Sequence, residues 1–250
     1  MQKKVIVLGG SSGIGKATAQ RFANEGCRVL VASDNLSQCS DVVNSLPGEG
    51  HLSCELDVRS DEQLENLKQF VIANWADFDI LVNSIGISKH SAVLDSDFSA
   101  WDNSIQVMLY GTVKSCRALV PLMNDYGRII HITSIHHERV ATGSSAYGVS
   151  KAAITQLTRS LAMELAPRNI LANTIAPGFV DTPMSIKENG INELNTEWFK
   201  SNYQDTERLP LKRAAMPEEI AGVAWFLAGP DASYITGSII TVDGGLTLSF

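Results

Sequence analysis

The chain is expected to fold as an α/β protein: a doubly wound, seven-stranded parallel sheet with helices on both faces, in a single domain. Three observations predict this. Apolar segments of strand length alternate with helical patterns along all 250 residues, which calls for parallel strands joined by right-handed crossovers. The apolar segments run without alternation, as in Val5-Ile-Val-Leu8, the mark of strands buried on both faces. No Pro/Ser/Gly linker or low-complexity tract interrupts the pattern, so one domain suffices although length alone allows two.

The first strand is read near 3–8 and the first helix near 14–25, with Ala17, Phe22 and Ala23 on its inner face. Between them lies Gly9-Gly-Ser11-Ser12-Gly13-Ile14-Gly15. Glycines let the chain turn tightly and approach a pyrophosphate, whose charge suits the free N–H groups of a helix start. Gly9, Ser11, Ser12, Gly13, Ile14 and Gly15 are therefore candidate dinucleotide contacts, with a plain strand-to-helix turn as the alternative. Further strands are expected near 28–32, 51–55, 79–82, 127–133, 170–175 and 238–242, and helices near 37–45, 61–75, 100–123, 147–166 and 217–228. Ligands of such sheets bind at the carboxyl ends of the strands. Residues 179–216 are long and polar, with helical periodicity from Ile191 to Tyr203. Long insertions at a ligand-bearing rim commonly serve as lids, and a substrate lid is expected here.

Tyr147 and Lys151 are four residues apart on the helix expected at 147–166, and Ser134 lies thirteen residues before Tyr147, after the apolar run Ile-Ile-His-Ile-Thr. The i, i+4 spacing puts a phenol and an ammonium on one helix face. A free tyrosine titrates near 10, and a cation held beside the phenolate lowers that value. A hydroxyl at the end of a neighbouring strand holds a substrate oxygen. Ser134, Tyr147 and Lys151 thus read as machinery for moving a proton on or off an alcohol.

Composition bounds the partners. Cys27, Cys39, Cys54 and Cys116 form no Cys-x-x-Cys pair, so neither a metal site nor a disulfide framework is suggested; reduced thiols suit a cytoplasmic address. No apolar stretch reaches the ~18 residues of a membrane span, and neither a membrane span nor a signal peptide is expected. The net charge of −7 argues against a nucleic-acid partner.

The glycine pattern, Asn83-Ser84-Ile-Gly86, the Ser134/Tyr147/Lys151 trio, Ala176-Pro177-Gly178 with Thr182, and Val242-Asp243-Gly244-Gly245 follow in one order across nearly the whole chain. This set resembles the short-chain dehydrogenase/reductase family in its form of about 250 residues. The resemblance implies a Rossmann-type fold, a nicotinamide cofactor, and hydride transfer on a secondary alcohol or ketone catalysed by the serine, tyrosine and lysine. It also implies that Lys151 holds the nicotinamide ribose, that Asp57 and Val58 meet the adenine, and that Asn83, Ser84 and Gly86 pass beneath the adenosine. Pro177, Gly178, Val180 and Thr182 correspond to the segment that clamps the nicotinamide carboxamide. Asp57-Val58 reads equally well as a strand-end turn.

At the end of the second strand the family's usual acid position is Ser33, and an acid arrives one residue later, at Asp34. Asp34 and the absence of a basic residue at Ser12 favour NAD over NADP; Asp34 could instead cap the helix starting near Ser37. The resemblance places an asparagine of the proton relay where this chain has Met108, so the relay is expected to be weakened, or re-routed through the Met108 carbonyl where the helix opens locally. His136, His137 and Glu138 are substrate candidates, joined by Lys89, His90, Glu188, Asn189 and Asn192. Their polarity favours a sugar or polyol, and the resemblance leans toward glucose-type members. A 3-oxoacyl-carrier-protein reductase is the alternative enzyme, and a cofactor-binding protein with weakened chemistry the alternative class. Helices 100–123 and 147–166 are apolar on more than one face (Met108, Leu109, Val113; Ile154, Leu157), and a helix apolar on two sides needs two partners. A homodimer or homotetramer is expected, with the tail ending in Phe250 as a further contact.

Overall fold

A computed structural model describes residues 2–187 and 189–248; Glu188 and Phe250 lie outside the described residues. Seven parallel strands form one sheet in the order β3-β2-β1-β4-β5-β6-β7. They are β1 (Lys4–Leu8), β2 (Arg28–Ser33), β3 (Leu52–Glu55), β4 (Phe78–Asn83), β5 (Met123–Ile132), β6 (Leu171–Pro177) and β7 (Ile239–Val242). The strand order reverses at β1, between β2 and β4, which opens a crevice at the carboxyl edge. Register brings Leu8 level with Ala32 and Asn83, and Asn83 level with His131, so the ends of β2, β1, β4 and β5 form one rim.

The unbroken apolar strands are explained by the two cores they feed. Val5 and Val7 face a core shared with Phe22, Val42, Ile220 and Leu227. Ile6 and Leu8 face the opposite one, with Leu67, Trp75, Leu119 and Leu161. These residues belong to α1 (Gly13–Asn24), α2 (Leu36–Ser45), α3 (Asp61–Trp75), α5 (Gly111–Leu119), α6 (Ser145–Glu164) and α8 (Pro217–Ala228). Phe22 is fully buried and meets Trp225 edge to face at 5.3 Å; a side chain of this kind contributes about 1.5–3 kcal/mol through burial.

The structure departs from expectation in two places. The helix expected over 100–123 is broken: α4 (Phe98–Ile105) passes through a π turn, Gln106–Tyr110, before α5 begins. Val120–Leu122 then forms a 3-10 turn containing Pro121, and β5 starts at Met123, earlier than expected. The helix expected from Ile191 to Tyr203 is mostly lost. A 3-10 turn (Glu193–Asn195) leads to the single turn α7 (Glu197–Phe199) and a π turn (Lys200–Gln204). Its periodicity instead serves a small separate cluster in which Phe199, Leu194 and Leu209 are buried and Phe179 and Tyr203 pack at 4.8 Å.

Candidate active site

One cavity of about 770 Å³ runs along the carboxyl rim. The glycine turn forms its middle. Gly9 and Gly13 have φ of +70° and +50°, and a Cβ on Gly9 would lie 2.9 Å from the Ser84 carbonyl, so backbone packs directly on backbone there. A Cβ on Gly15 would sit 2.1 Å from the Gly9 oxygen; Gly15 sets the approach of α1 to the turn and does not line the cavity. Gly9, Ser11, Ser12, Gly13 and Ile14 do line it. Asn35, Ser60 and Asp97 cap α2, α3 and α4 with their side chains, whereas Ser12 makes no such bond to the start of α1. The N–H groups of that helix start therefore remain available to an anion, and the cradle fits a dinucleotide pyrophosphate.

At one end the cavity is lined by Ser33, Asp34, Asp57, Val58, Arg59 and Asn103. Asn35, not Asp34, caps α2, its side chain accepting from the Gln38 N–H at 3.0 Å. The Asp34 carboxylate is thus not spent on the helix. Ser33 turns its hydroxyl to Cys39 Sγ, 3.1 Å away. Arg59 brings to this end a cation that the motifs did not mark. Its guanidinium is committed to both Asp57 oxygens (2.7 and 3.0 Å) and to Asn103 Oδ1 (2.9 Å). This holds the Asp57 carboxyl below its ordinary range. The Asp57 partner is two residues away and the Asn103 partner 44, and neither contact is marked by the spacing.

Asn83 does not reach the cavity. It is buried; its Nδ2 donates to Thr112 Oγ1 (2.9 Å) and its Oδ1 accepts from the Ile85 N–H (3.0 Å). It therefore shapes the Ser84–Gly86 turn and ties it to α5. Ser84 and Gly86 line the cavity, as do Pro177, Gly178, Val180 and Thr182. Gly178 abuts Asp243, whose carboxyl accepts from the Gly245 and Thr247 N–H groups. That anchors the chain end, so that Leu246 and Thr247 become cavity wall.

Ser134, Tyr147 and Lys151 converge at the other end. The Ser134 hydroxyl follows β5, accepts from the His136 N–H (3.2 Å) and lines the cavity with Tyr147, whose phenol it draws down. Lys151 is buried; its Nζ donates to the Ile132 carbonyl (2.9 Å) and the Ile85 carbonyl (3.4 Å) and lies 5.5 Å from the Tyr147 ring centre. Burial pushes the Tyr147 phenol up, with the Ser134 hydrogen bond opposing it, and pushes Lys151 down to about 8. The expected lowering of Tyr147 by Lys151 is not what dominates, because desolvation disfavours the charged form of both groups. His131 is buried beneath them. It donates from Nδ1 to Thr158 (2.8 Å), and burial pushes it down to about 4.

Met108 is fully buried at the π turn. The helix is opened locally, and the Met108 carbonyl accepts from Thr112 Oγ1 at 2.6 Å, not from Lys151. Of the substrate candidates, His136 lines the cavity with its ring edge-on to Tyr147 at 5.8 Å. His137 and Glu138 do not join it; they line a separate depression with Gln156 and Arg159. The His137 ring is turned back, Nδ1 donating to the Ser134 carbonyl at 2.8 Å. Lys89 lines the main cavity, while His90, Asn189 and Asn192 do not; Glu193, Tyr203 and Arg139 do so unforeseen.

A glycine-cradled cleft on a doubly wound sheet defines a Rossmann-fold nucleotide-binding protein. A family model described as enoyl-(acyl carrier protein) reductase matches residues 9–247. The chain is 34% identical to a 3-oxoacyl-[acyl-carrier-protein] reductase of Thermotoga maritima, over 98% of each chain, and 34% identical to carbonyl reductase family member 4 of Xenopus laevis, over 99% of each. Its fold superposes on an aldohexose dehydrogenase of Thermoplasma acidophilum with a TM-score of 0.86 at 29% identity, covering 100% of this chain and 95% of that one. The protein belongs to the short-chain dehydrogenase/reductase family, oxidoreductases that use nicotinamide cofactors.

Lys151 carries a testable signature. Its folded value of about 8 lies below its ordinary 10.5, so between those values the unfolded chain holds the extra proton and stability rises with pH. Unfolding titrations of the wild type and Lys151→Met should show a difference that shifts toward the wild type as pH climbs from 8 to 10.5. A pH-independent difference would mean that the ammonium is not desolvated.

Proposed function

We propose that the protein transfers hydride between a nicotinamide cofactor and the carbinol or carbonyl carbon of a small polar secondary alcohol or ketone. The observation that carries this reading is the convergence on one cavity wall of Ser134, just after β5, with Tyr147 and the Lys151 ammonium, one helical turn apart on α6. The bound nicotinamide supplies the hydride acceptor or donor. In oxidation the Tyr147 phenolate takes the hydroxyl proton as the carbon loses hydride; in reduction the phenol returns it to the oxygen. Ser134 hydrogen-bonds the reacting oxygen and stabilises charge on it, a contribution of about 2–4 kcal/mol for donors of this kind. Lys151 holds the nicotinamide ribose, and the α1 start with Ser11 and Ser12 holds the pyrophosphate. Val180 and Thr182 orient the carboxamide. Residues 179–216 act as the lid, with Phe179 and Tyr203 as its inner face. The re-routed Met108 carbonyl is compatible with turnover because Lys151 keeps two carbonyl partners without it.

A phenol raised by burial favours the proton-donor role near neutrality, so oxidation should accelerate with rising pH. Tyr147→Phe should lower turnover in either direction by about 10²–10⁴ while retaining cofactor binding; turnover at the wild-type rate removes the assignment. The same assay, run on sugars, polyols and 3-oxoacyl thioesters, separates the polar-substrate reading from the carrier-protein reductase suggested by the names of the relatives.

NAD is the proposed cofactor, because the Asp34 carboxylate, which does not cap α2, repels a 2′-phosphate and the Arg59 guanidinium is already committed to Asp57. The ratio of kcat/KM for NAD over NADP should exceed one, and Asp34→Ser should narrow it by about tenfold, or about 1.4 kcal/mol. An NADP preference, or an unchanged ratio in the variant, contradicts it. Self-association belongs to the same reading: Leu94 is 89% exposed and Met163 79%, with Phe98 and Val93 also bare near α4 and α6. Sedimentation should find a multiple of the 27.0 kDa chain; a monomer at micromolar concentration argues against it.

A further inference from the structure

Besides the buried Lys151, the substrate end of the cavity carries two exposed cations, Lys89 and Arg139, and neither has a carboxylate partner among the described residues. We propose that they form an anion-recognising rim, so that the alcohol or ketone acted upon also carries a carboxylate or phosphate. This rests on the hydride-transfer reading above and narrows its substrate class.

Charge distribution supports it. The chain is acidic, with a net charge of −7, and an unneutralised pair of cations at a cleft runs against that background. The acids of the cavity lie elsewhere or are spent. Asp34 and Asp57 belong to the far end, and Glu193 is paired with Lys187 at 2.6 Å.

Both cations sit on braced chain. The Arg139 N–H donates to the Ile135 carbonyl (2.8 Å), and one Nη donates to the Thr247 carbonyl (2.8 Å). Its remaining guanidinium donors are left for a bidentate partner. The Arg139 carbonyl accepts from His136 Nδ1 (3.1 Å), and the His136 ring stands against Tyr147. Lys89 precedes Ser91, whose N–H donates to the Gly143 carbonyl (2.7 Å) and whose carbonyl accepts from the Ser145 N–H (3.1 Å). Gly143 has φ of +75°, and any Cβ there would collide with the His90 ring at 2.6 Å. Both segments therefore close on the first turn of α6, which carries Tyr147. An anion held between them places a hydroxyl or oxo group a few bonds away at Ser134 and Tyr147.

The test uses Tyr147→Phe loaded with NADH, so that binding is read from cofactor fluorescence without turnover. The probes are matched pairs: 3-hydroxybutyrate and its methyl ester, gluconate and glucitol, glycerol 3-phosphate and glycerol. At least one anionic member should bind about tenfold tighter than its neutral partner, and Lys89→Gln and Arg139→Gln should each reduce that ratio by about fivefold, as partly exposed charge-assisted bonds do. The carboxylate and phosphate arms distinguish the two sources of the charge. Equal or tighter binding of every neutral member, no response to any probe, or a ratio unchanged in both glutamine variants overturns the proposal. A failure of the hydride-transfer reading would show separately, as a wild type without turnover.

Discussion

The site depends on one buried ammonium. Lys151 reaches from α6 to the carbonyls of Ile85 and Ile132, and so ties a helix to the ends of the adjacent strands β4 and β5. Tyr147, one turn earlier on α6, is thereby suspended over Ser134 at the end of β5. An ammonium buried without a carboxylate is costly, and its downward shift to about 8 is the mark of that cost. The fold sustains it because the two cores on either side of the sheet are extensive.

Desolvation governs the chemistry of this trio more than mutual attraction does. Tyr147 and Lys151 are both driven toward their neutral forms, which leaves the phenol as a proton donor at neutral pH and makes its phenolate strongly basic when formed. His131 beneath them is held neutral by the same burial, so it adds no further positive charge beside Lys151 near neutrality. The two ends of the cavity are arranged in opposite senses. Asp34 and Asp57 line one end, and Lys89 and Arg139 line the other; under the proposed reading each end discriminates by the sign of what it repels.

Much of this was legible in the sequence. Unalternating strands, the glycine turn and the Tyr147–Lys151 spacing are local signals, and the parallel order of strands follows from the helices between them. The same local character explains the misses. Periodicity from Ile191 to Tyr203 marked a segment that buries Phe199 and Leu194, yet it could not distinguish a continuous helix from three short turns around a private aromatic cluster. The π turn at Met108 and the early start of β5 depend on packing against neighbours that no window of sequence contains. Arg59 was missed because spacing alone does not show that its guanidinium turns back onto Asp57 and braces against Asn103, far along the chain. His137 and Glu138 were misplaced because proximity to Ser134 in sequence says nothing of direction: the chain turns at Ile135–His137 and sends them to the other side.

That Tyr147 is the proton carrier is the claim from which the rest follows. The most direct measurement compares the pH dependence of kcat/KM for alcohol oxidation with the titration of Tyr147 itself, read as the tyrosinate difference spectrum between wild type and Tyr147→Phe with cofactor bound. The two midpoints should coincide within about one pH unit. A rate profile that rises with a midpoint unrelated to the tyrosinate signal would place the proton on another group.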